Sequence, residues 1–355
     1  MKVTVLGAGN SGLAMAAHLT LEGNTVTLWN RTEQHIEKLL ENPVINCSGV
    51  INGKARIALV TSNLGDALEG AEMVFVTTPA FSHAELAKKI GYALLKPTTI
   101  VLNPGRTFGA MEFIHSFKQV NATVNPIVAE TQTIIYTCRK TSDRAVEVYA
   151  LKNDVLISTI DANDNQALIT SMPVCLQSMF IPAKSMIETS IGNVGMILHC
   201  APILLNVGWV ESPEDNFCYY RTGISPTIAR FIEKMDQERM EVAEKLGTPV
   251  ESVKEWMKRT YQIEGNSLYQ VIQNNLAYES IQAPQTLQHR YITEDIPMGL
   301  VPLEAVGKEI GLEMKTIQLV IDLASSLLDI DFRQEGRNLH ELIETNNISA
   351  YKILQ

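Results

Sequence analysis

The first thirty residues constrain this chain more than any other stretch. Val3 to Leu6 is a short apolar run, GAGNSG follows it, and LAMAAHLTLEG comes next. That order reads as strand, glycine turn, helix. The glycines at 7, 9 and 12 have the GxGxxG spacing. Gly7 permits a tight turn, Gly9 lets a pyrophosphate approach the backbone, and Gly12 lets an amphipathic helix pack against the strand. The helix N-terminus offers N–H groups and positive dipole to phosphate. With a second strand at Thr25 to Trp29, this is the opening of a dinucleotide-binding unit. Its phosphate loop is Gly7, Ala8, Gly9, Asn10 and Gly12.

The second strand runs into WNRT. An NAD-binding unit usually places Asp or Glu here, on the ribose 2′-hydroxyl. This chain has Asn30 and Arg31. An acid repels a 2′-phosphate and an arginine fork attracts it, so NADP(H) is the expected cofactor. A solvated Arg31, with NAD(H) also accepted, is the alternative.

Strand and helix patterns then alternate. Ala55 to Thr61, Met73 to Thr77 and Thr98 to Leu102 read as strands, which implies a mostly parallel, doubly wound sheet. Ligands in such sheets lie beyond the carboxyl ends of the strands. Thr77-Thr78-Pro79, Asn103-Pro104-Gly105-Arg106 and Ala129-Glu130-Thr131 are the loops expected to face cofactor and substrate. Arg144 to Lys152 and Asp154 to Ile160 read as a hairpin or adjacent strands. From about residue 185 the pattern turns all-helical. The expectation is therefore an α/β Rossmann domain over 1–184 and an all-α substrate domain over 185–355. Val320 to Ile330 is apolar enough for a core helix or a homodimer interface.

Two stretches of the helical half carry ionisable groups. Ile191 to Pro202 reads as a helix with His199 among apolar neighbours. Gly192 and Gly195 would lie on its face and leave a groove beside the imidazole. Pro202 should kink or end that helix. Taken alone, the stretch fits a packed core histidine somewhat better. Further on, HRYITEDIPMGLVP carries His289, Arg290, Glu294 and Asp295, and its prolines and Gly299 read as a loop. An exposed charged loop is the plain reading. A nicotinamide reductase, however, needs a proton donor and acceptor, an orienting carboxylate and a carboxylate anchor. His199, Asp295 and Arg290 would supply them.

Composition narrows the classes. A formal net charge of −10 with no Lys/Arg cluster argues against nucleic-acid binding. The N-terminus lacks a signal-peptide pattern, and no run of about 18 apolar residues suggests a membrane span. Five scattered cysteines, none at zinc-ligand spacing, read as reduced thiols of a cytoplasmic protein with no metal site.

The motifs GAGNSG, TPAFSH (78–83), NPGR (103–106), AETQTIIYTCR (129–139), NVGMILHCAP (193–202) and RYITEDIPMGLVP (290–302) together resemble the octopine/nopaline, or opine, dehydrogenase family. The likeness runs in order from residue 1 to about 330. It implies a Rossmann domain, a C-terminal helical domain of the 6-phosphogluconate dehydrogenase-like kind, and a substrate cleft between them. It also implies NAD(P)H-dependent condensation of an amino acid with an α-keto acid. His199 would be the catalytic histidine and Asp295 its partner. Arg290 would bind carboxylate, Thr131 would lie at the keto-acid site, and Thr78-Pro79 would border the cofactor. Two positions depart from the pattern. Cys200 stands where proline is common and alters the kink beside His199. Arg106 stands where some members have glutamine and adds a cation suited to a more acidic substrate.

Other readings remain open at this stage. A 2-keto- or hydroxy-acid reductase resembling ketopantoate reductase would use a lysine donor, with Lys184 the nearest candidate. A non-catalytic NADP-binding regulator would share the glycine turn. His83 could face the cofactor from its loop, but a surface histidine at a helix start is the plainer reading. His18, His35, His115 and His340 read as surface histidines without assigned roles.

Overall fold

The computed structural model of the chain describes residues 1–214, 216–337 and 339. His340 and the rest of the C-terminal stretch lie outside them. The chain divides into two compact units that meet at Ser190 and Ile191, beyond the boundary expected at 184.

The first unit is α/β and contains two sheets. The larger uses β1 (Lys2–Leu6), β2 (Thr25–Trp29), β5 (Leu59–Thr61), β6 (Met73–Val76), β7 (Thr99–Leu102), β8 (Ile127–Thr131), β11 (Val155–Thr159) and β12 (Phe180–Pro182). Its order is β12-β11-β8-β7-β6-β1-β2-β5. Pairing is parallel throughout except between β8 and β11. From β1 the chain steps first to β2 on one side and later to β6 on the other. The sheet therefore has a switch point between β1 and β6, where such folds bind ligands.

The smaller sheet was not expected. It joins β3 (Val44–Gly49), β4 (Gly53–Arg56), β9 (Tyr136–Ser142) and β10 (Ala145–Leu151) in the order β4-β3-β10-β9. Two sequence expectations fail because of it. Ala55 to Thr61 is two strands, β4 and β5, in different sheets. The supposed hairpin at residues 152–154 instead joins β10 of one sheet to β11 of the other, with Asp154 in the left-handed region at φ 55.

The sheets meet on helix α1 (Asn10–Leu21), which packs on β1 and β2 and on all four strands of the small sheet. Gly12 to Leu19 are buried without a break. The helix is thus buried all round and not amphipathic as expected, which fits its alanine-rich, nearly uncharged sequence. His18 goes in with it. Its Nδ1 lies 3.1 Å from the Tyr136 hydroxyl, and burial lowers its proton affinity.

The second unit, described to residue 339, is helical. Among the described residues its only strand pairing is an isolated bridge from Cys218 to Gln282. The stretch Met186–Leu205 has the length and composition to cross a bilayer, yet 83% of its apolar 18-residue window is buried within the protein. Nor is it one helix. Met186–Ile191 ends, and a new helix, α2 (Gly195–Leu205), begins after a break. Asn193 sets the break by accepting the Gly195 N–H on Oδ1 at 2.9 Å. Gly192 lies in the break and Gly195 is the first helical residue. Of the two glycines, Gly195 alone keeps the expected place one helical turn before His199, and Gly195 and His199 are both partly exposed.

Pro202 does not end α2 either. Having no N–H, it leaves the Leu198 carbonyl without its usual partner. The Tyr219 hydroxyl lies 3.2 Å from that oxygen and 2.5 Å from the His199 carbonyl. This long-range donor replaces the missing helical hydrogen bond. The later helix Lys315–Leu328 buries Ile317, Val320, Ile321 and Ala324, so its apolar face serves its own unit's core. Replacing Tyr219 with Phe should lower stability by about 1–3 kcal/mol, the cost of a buried unsatisfied carbonyl. Urea unfolding of the two proteins measures it, and an unchanged midpoint would show that water or a helix shift satisfies that oxygen instead.

Candidate active site

At the switch point of the first unit lies a cavity of about 580 Å³. Gly7, Ala8, Gly9 and Asn10 form one wall, and Asn30, Arg31, Thr78 and Pro79 line others. The three glycines separate cleanly by role. Gly7 has φ +114, and its N–H donates to the Trp29 carbonyl at 2.8 Å. A side chain on Gly9 would meet nothing within 4 Å, so the backbone there is open to a ligand. A Cβ on Gly12 would lie 1.7 Å from the Gly7 carbonyl oxygen, so Gly12 acts by packing and not by contact with the cavity.

Asn30 braces this loop. Its Oδ1 accepts the Ala8 N–H at 3.1 Å and its amide donates to the Thr32 carbonyl at 2.9 Å. Arg31 is exposed and pairs with Glu85 at 3.4 Å, and Lys89 pairs with the other Glu85 oxygen at 2.7 Å. Lys89, followed by Arg31, holds the Glu85 carboxyl below its ordinary range. Lys89, Lys140 and His35 also line the cavity. None of the three was foreseen as a site residue. Lys140 arrives on β9, whose position no local motif announces. Lys89 follows Glu85 by one helical turn, a spacing that also describes any solvated helix face. These residues fit a dinucleotide: open backbone at Gly9, a helix start behind it, and cations at the far end. Among the described residues, no three potential metal ligands gather in one place.

The loops after β7 and β8 are more buried than expected. Arg106 is 7% exposed with φ 62, and Phe108 has φ 59. A left-handed backbone is costly for non-glycine residues, and such strain often marks functional loops. Glu130, expected to face ligand, is fully buried. It accepts the Ala110 N–H at 2.8 Å and the Thr189 hydroxyl at 2.9 Å, and also binds the Ser190 hydroxyl. Thr131 is buried too. Its hydroxyl lies 3.0 Å from both Asn103 Oδ1 and the Thr133 carbonyl, so it holds the loop together. Lys152, which the sequence did not mark, donates to the Thr133 hydroxyl at 3.2 Å. Burial pushes its proton affinity down to about 8, with Arg106 adding to the effect and Cys138 opposing it. His83 does not lie at the surface. It is fully buried, with Nε2 3.2 Å from the Thr78 carbonyl.

In the second unit, the stretch expected to be a loop is helical. Arg290–Thr293 forms a short helix, Ile296–Leu300 a π-turn and Val301–Glu309 a further helix. Pro297 and Pro302 sit in first turns, where the missing N–H costs little. Single π-turns of this kind are common at functional sites. The segment brings Asp295, 1% exposed, to His199: Nδ1 donates to Oδ2 at 2.6 Å. The Tyr291 ring stacks on the imidazole at 3.8 Å and 13°. Arg290 is half-exposed, its guanidinium 3.2 Å from the buried Glu294 carboxylate. His289 caps the short helix, accepting the Tyr291 N–H on Nδ1 at 3.3 Å. Burial lowers its proton affinity, and Arg290 adds to that. Cys200 is buried and donates from Sγ to the Tyr291 carbonyl at 3.3 Å. Lys184, the alternative proton donor, is 84% exposed and 3.9 Å from Glu188.

A helical unit that follows a dinucleotide fold is also what the comparisons with known proteins find. The NAD/NADP octopine/nopaline dehydrogenase α-helical domain matches residues 182–328, and the N-terminal part of NAD-dependent glycerol-3-phosphate dehydrogenase matches 2–128. An opine dehydrogenase of Arthrobacter sp. (strain 1C) is 35% identical over 95% of this chain and 94% of its own length. The chain belongs to the opine dehydrogenase family. As a member it is an NAD(P)-dependent oxidoreductase acting on CH–NH bonds, joining an amino acid to a keto acid by reductive condensation. Two solved structures share the fold. Octopine dehydrogenase with NADH and L-arginine has a TM-score of 0.78 at 20% identity, covering 94% of this chain and 91% of its own. Yersinopine dehydrogenase bound to NADP+ has a TM-score of 0.71 at 14% identity, covering 100% and 95%.

Two outcomes test this site. Gly12→Ala should destabilise the protein by about 1–3 kcal/mol through backbone overpacking. Gly9→Ala should leave the melting temperature unchanged while weakening cofactor binding. Calorimetry paired with cofactor titration separates them, and equal thermal losses would contradict the division of roles. The second concerns Lys152, whose folded value of about 8 lies below the ordinary 10.5. Between those values the unfolded chain binds more protons, so the Lys152 contribution to stability rises with pH. Relative to Lys152→Met, wild type should gain stability from pH 8 to 10 in urea melts; a constant difference would show that the charge is not desolvated.

Proposed function

We propose that this opine dehydrogenase prefers NADPH and uses His199 as general acid and base, oriented by Asp295. The observation that carries the reading is the 2.6 Å hydrogen bond from His199 Nδ1 to a carboxylate that is almost wholly buried. A carboxylate on Nδ1 fixes the tautomer and steadies the imidazolium, which assigns proton exchange to Nε2. The amino acid's amine attacks the keto carbon of an α-keto acid and must lose a proton. The resulting hydroxyl must gain one to leave as water. A histidine near neutrality serves both steps. The bound cofactor supplies hydride to the C=N carbon, and the product is a secondary amine bearing two carboxylates. Arg290, half-exposed and steadied by Glu294, is the proposed carboxylate anchor. Arg106 is the proposed cation near the keto acid, on a loop that Thr131 holds in shape.

The NADPH preference rests on charge. Arg31, Lys89 and Lys140 border the cavity, against one acid, Glu85. Asn30 is occupied in bracing the glycine loop and places no carboxylate at the ribose. Opine-type dehydrogenases with NADH and with NADP+ both exist among the fold's neighbours, so local charge decides.

A matrix of amino acids against pyruvate, glyoxylate, oxaloacetate and 2-oxoglutarate tests the function, with NADPH absorbance and product mass as readouts. Oxidation should require both partners, and the product should have the mass of amine plus keto acid plus two hydrogens less one water. Oxidation by a keto acid at the same rate without amine would mean a hydroxy-acid dehydrogenase. In the same assay kcat/KM for NADPH should exceed that for NADH by about tenfold, an effect of about 1.4 kcal/mol. Lys89→Ala and Arg31→Ala should each erode the ratio. An equal or higher value for NADH ends the cofactor proposal.

A further inference from the structure

Tyr291 has no part in the chemistry described so far, yet it makes the closest ring contact of the site. Its ring centroid lies 3.8 Å from that of His199, with the planes 13° apart. Both faces of its own backbone are tied. The Tyr291 N–H donates to His289 Nδ1 at 3.3 Å, and its carbonyl accepts the Cys200 thiol at 3.3 Å. The His289 ring meets it edge-on at 4.6 Å and 88°, and the Tyr219 ring lies 5.4 Å away. Tyr291 and Asp295 are four residues apart on one helical segment, so a single short stretch presents both a ring platform and a carboxylate to the same imidazole.

We propose that Tyr291 is a positioning residue for His199, a platform that fixes the plane of the imidazole and favours its protonated form. The inference rests on the reading of His199 as acid and base. One hydrogen bond at Nδ1 fixes where the ring points but allows it to rock about that bond. A stacked ring removes this freedom. Proton transfer in a reacting complex is sensitive to such freedom, because small misplacements reduce rate steeply. The negative face of an aromatic ring also attracts a cation placed over it. Asp295, bonded to Nδ1, favours the imidazolium, while His289, when protonated, opposes it. The stack adds to the first and offsets the second.

Cys200 acquires a role in this arrangement. Its thiol is the donor to the Tyr291 carbonyl. That bond docks the platform onto the helix that carries His199.

The test uses the full-length protein with Tyr291→Leu, Tyr291→Met, Tyr291→Phe and Cys200→Ala. Leu and Met should lower kcat by about 10- to 100-fold while substrate KM and cofactor affinity stay within about threefold. His199 observed by NMR in the resting protein should titrate at lower pH in both. Phe keeps the ring face and should restore kcat and the titration to within about threefold of wild type. Cys200→Ala should reduce kcat about two- to fivefold, since a weak thiol donor is lost. If Leu does not fold, Met and Cys200→Ala carry the test. The proposal is overturned by a Leu or Met variant with unchanged kcat, by a lowered kcat without movement of the His199 titration, or by a Phe variant as impaired as Leu. The NMR titration needs no turnover. It therefore reports on the stack even if another group proves to move the proton.

Discussion

One hydrogen bond joins segments of the helical unit that are 96 residues apart in sequence: His199 Nδ1 to Asp295 Oδ2 at 2.6 Å. Everything around it can be read as holding that bond in place. Asp295 is buried, so its carboxylate accepts the imidazole N–H where water would otherwise serve, and an unpartnered charge there would be costly. The helix bearing His199 contains a proline whose missing hydrogen bond is replaced by Tyr219. The segment bearing Asp295 turns through a π-turn and is tied back to the first helix by Cys200 and by the Tyr291 stack. Local irregularity is tolerated on both strands of this arrangement because long-range contacts satisfy the groups it exposes.

The first unit obeys a different constraint. Gly12 must lack a side chain so that α1 can touch the Gly7 carbonyl, and this contact places the helix start at the end of β1. The protein as a whole is acidic, with a net charge of −10, yet the cavity beside that helix gathers Arg31, Lys89 and Lys140. An anionic dinucleotide is thus drawn to a local positive field on a negative molecule.

How much of this the sequence displayed depends on range. The strand, turn and helix at 1–21 and the separate roles of the three glycines were legible, because each follows from neighbours a few residues apart. Residue types suited to proton transfer, His199 and Asp295, were legible as chemistry, though not as a contact. The small sheet was hidden, because β3 pairs in parallel with β10 across about a hundred residues, and parallel partners leave no turn signature. Prolines 297 and 302 read as loop breakers because a first-turn proline and a loop proline look alike until the helix direction is known. Burial of Glu130 and Thr131 was equally invisible, since both sit in a motif that reads as a ligand-facing loop, and His83 reads as a surface residue at a helix start; only packing reveals their structural duty. Tyr219 and Tyr291 gave no signal, since each acts through a partner distant in sequence.

The central claim is that His199 moves the proton in reductive condensation. Its most direct measurement is Gln in place of His199, with NADPH affinity and single-turnover rate determined separately. The account predicts retained binding and a rate lower by about 10² to 10⁴, the usual contribution of an acid or base. Retained binding with turnover within about threefold of wild type would contradict it.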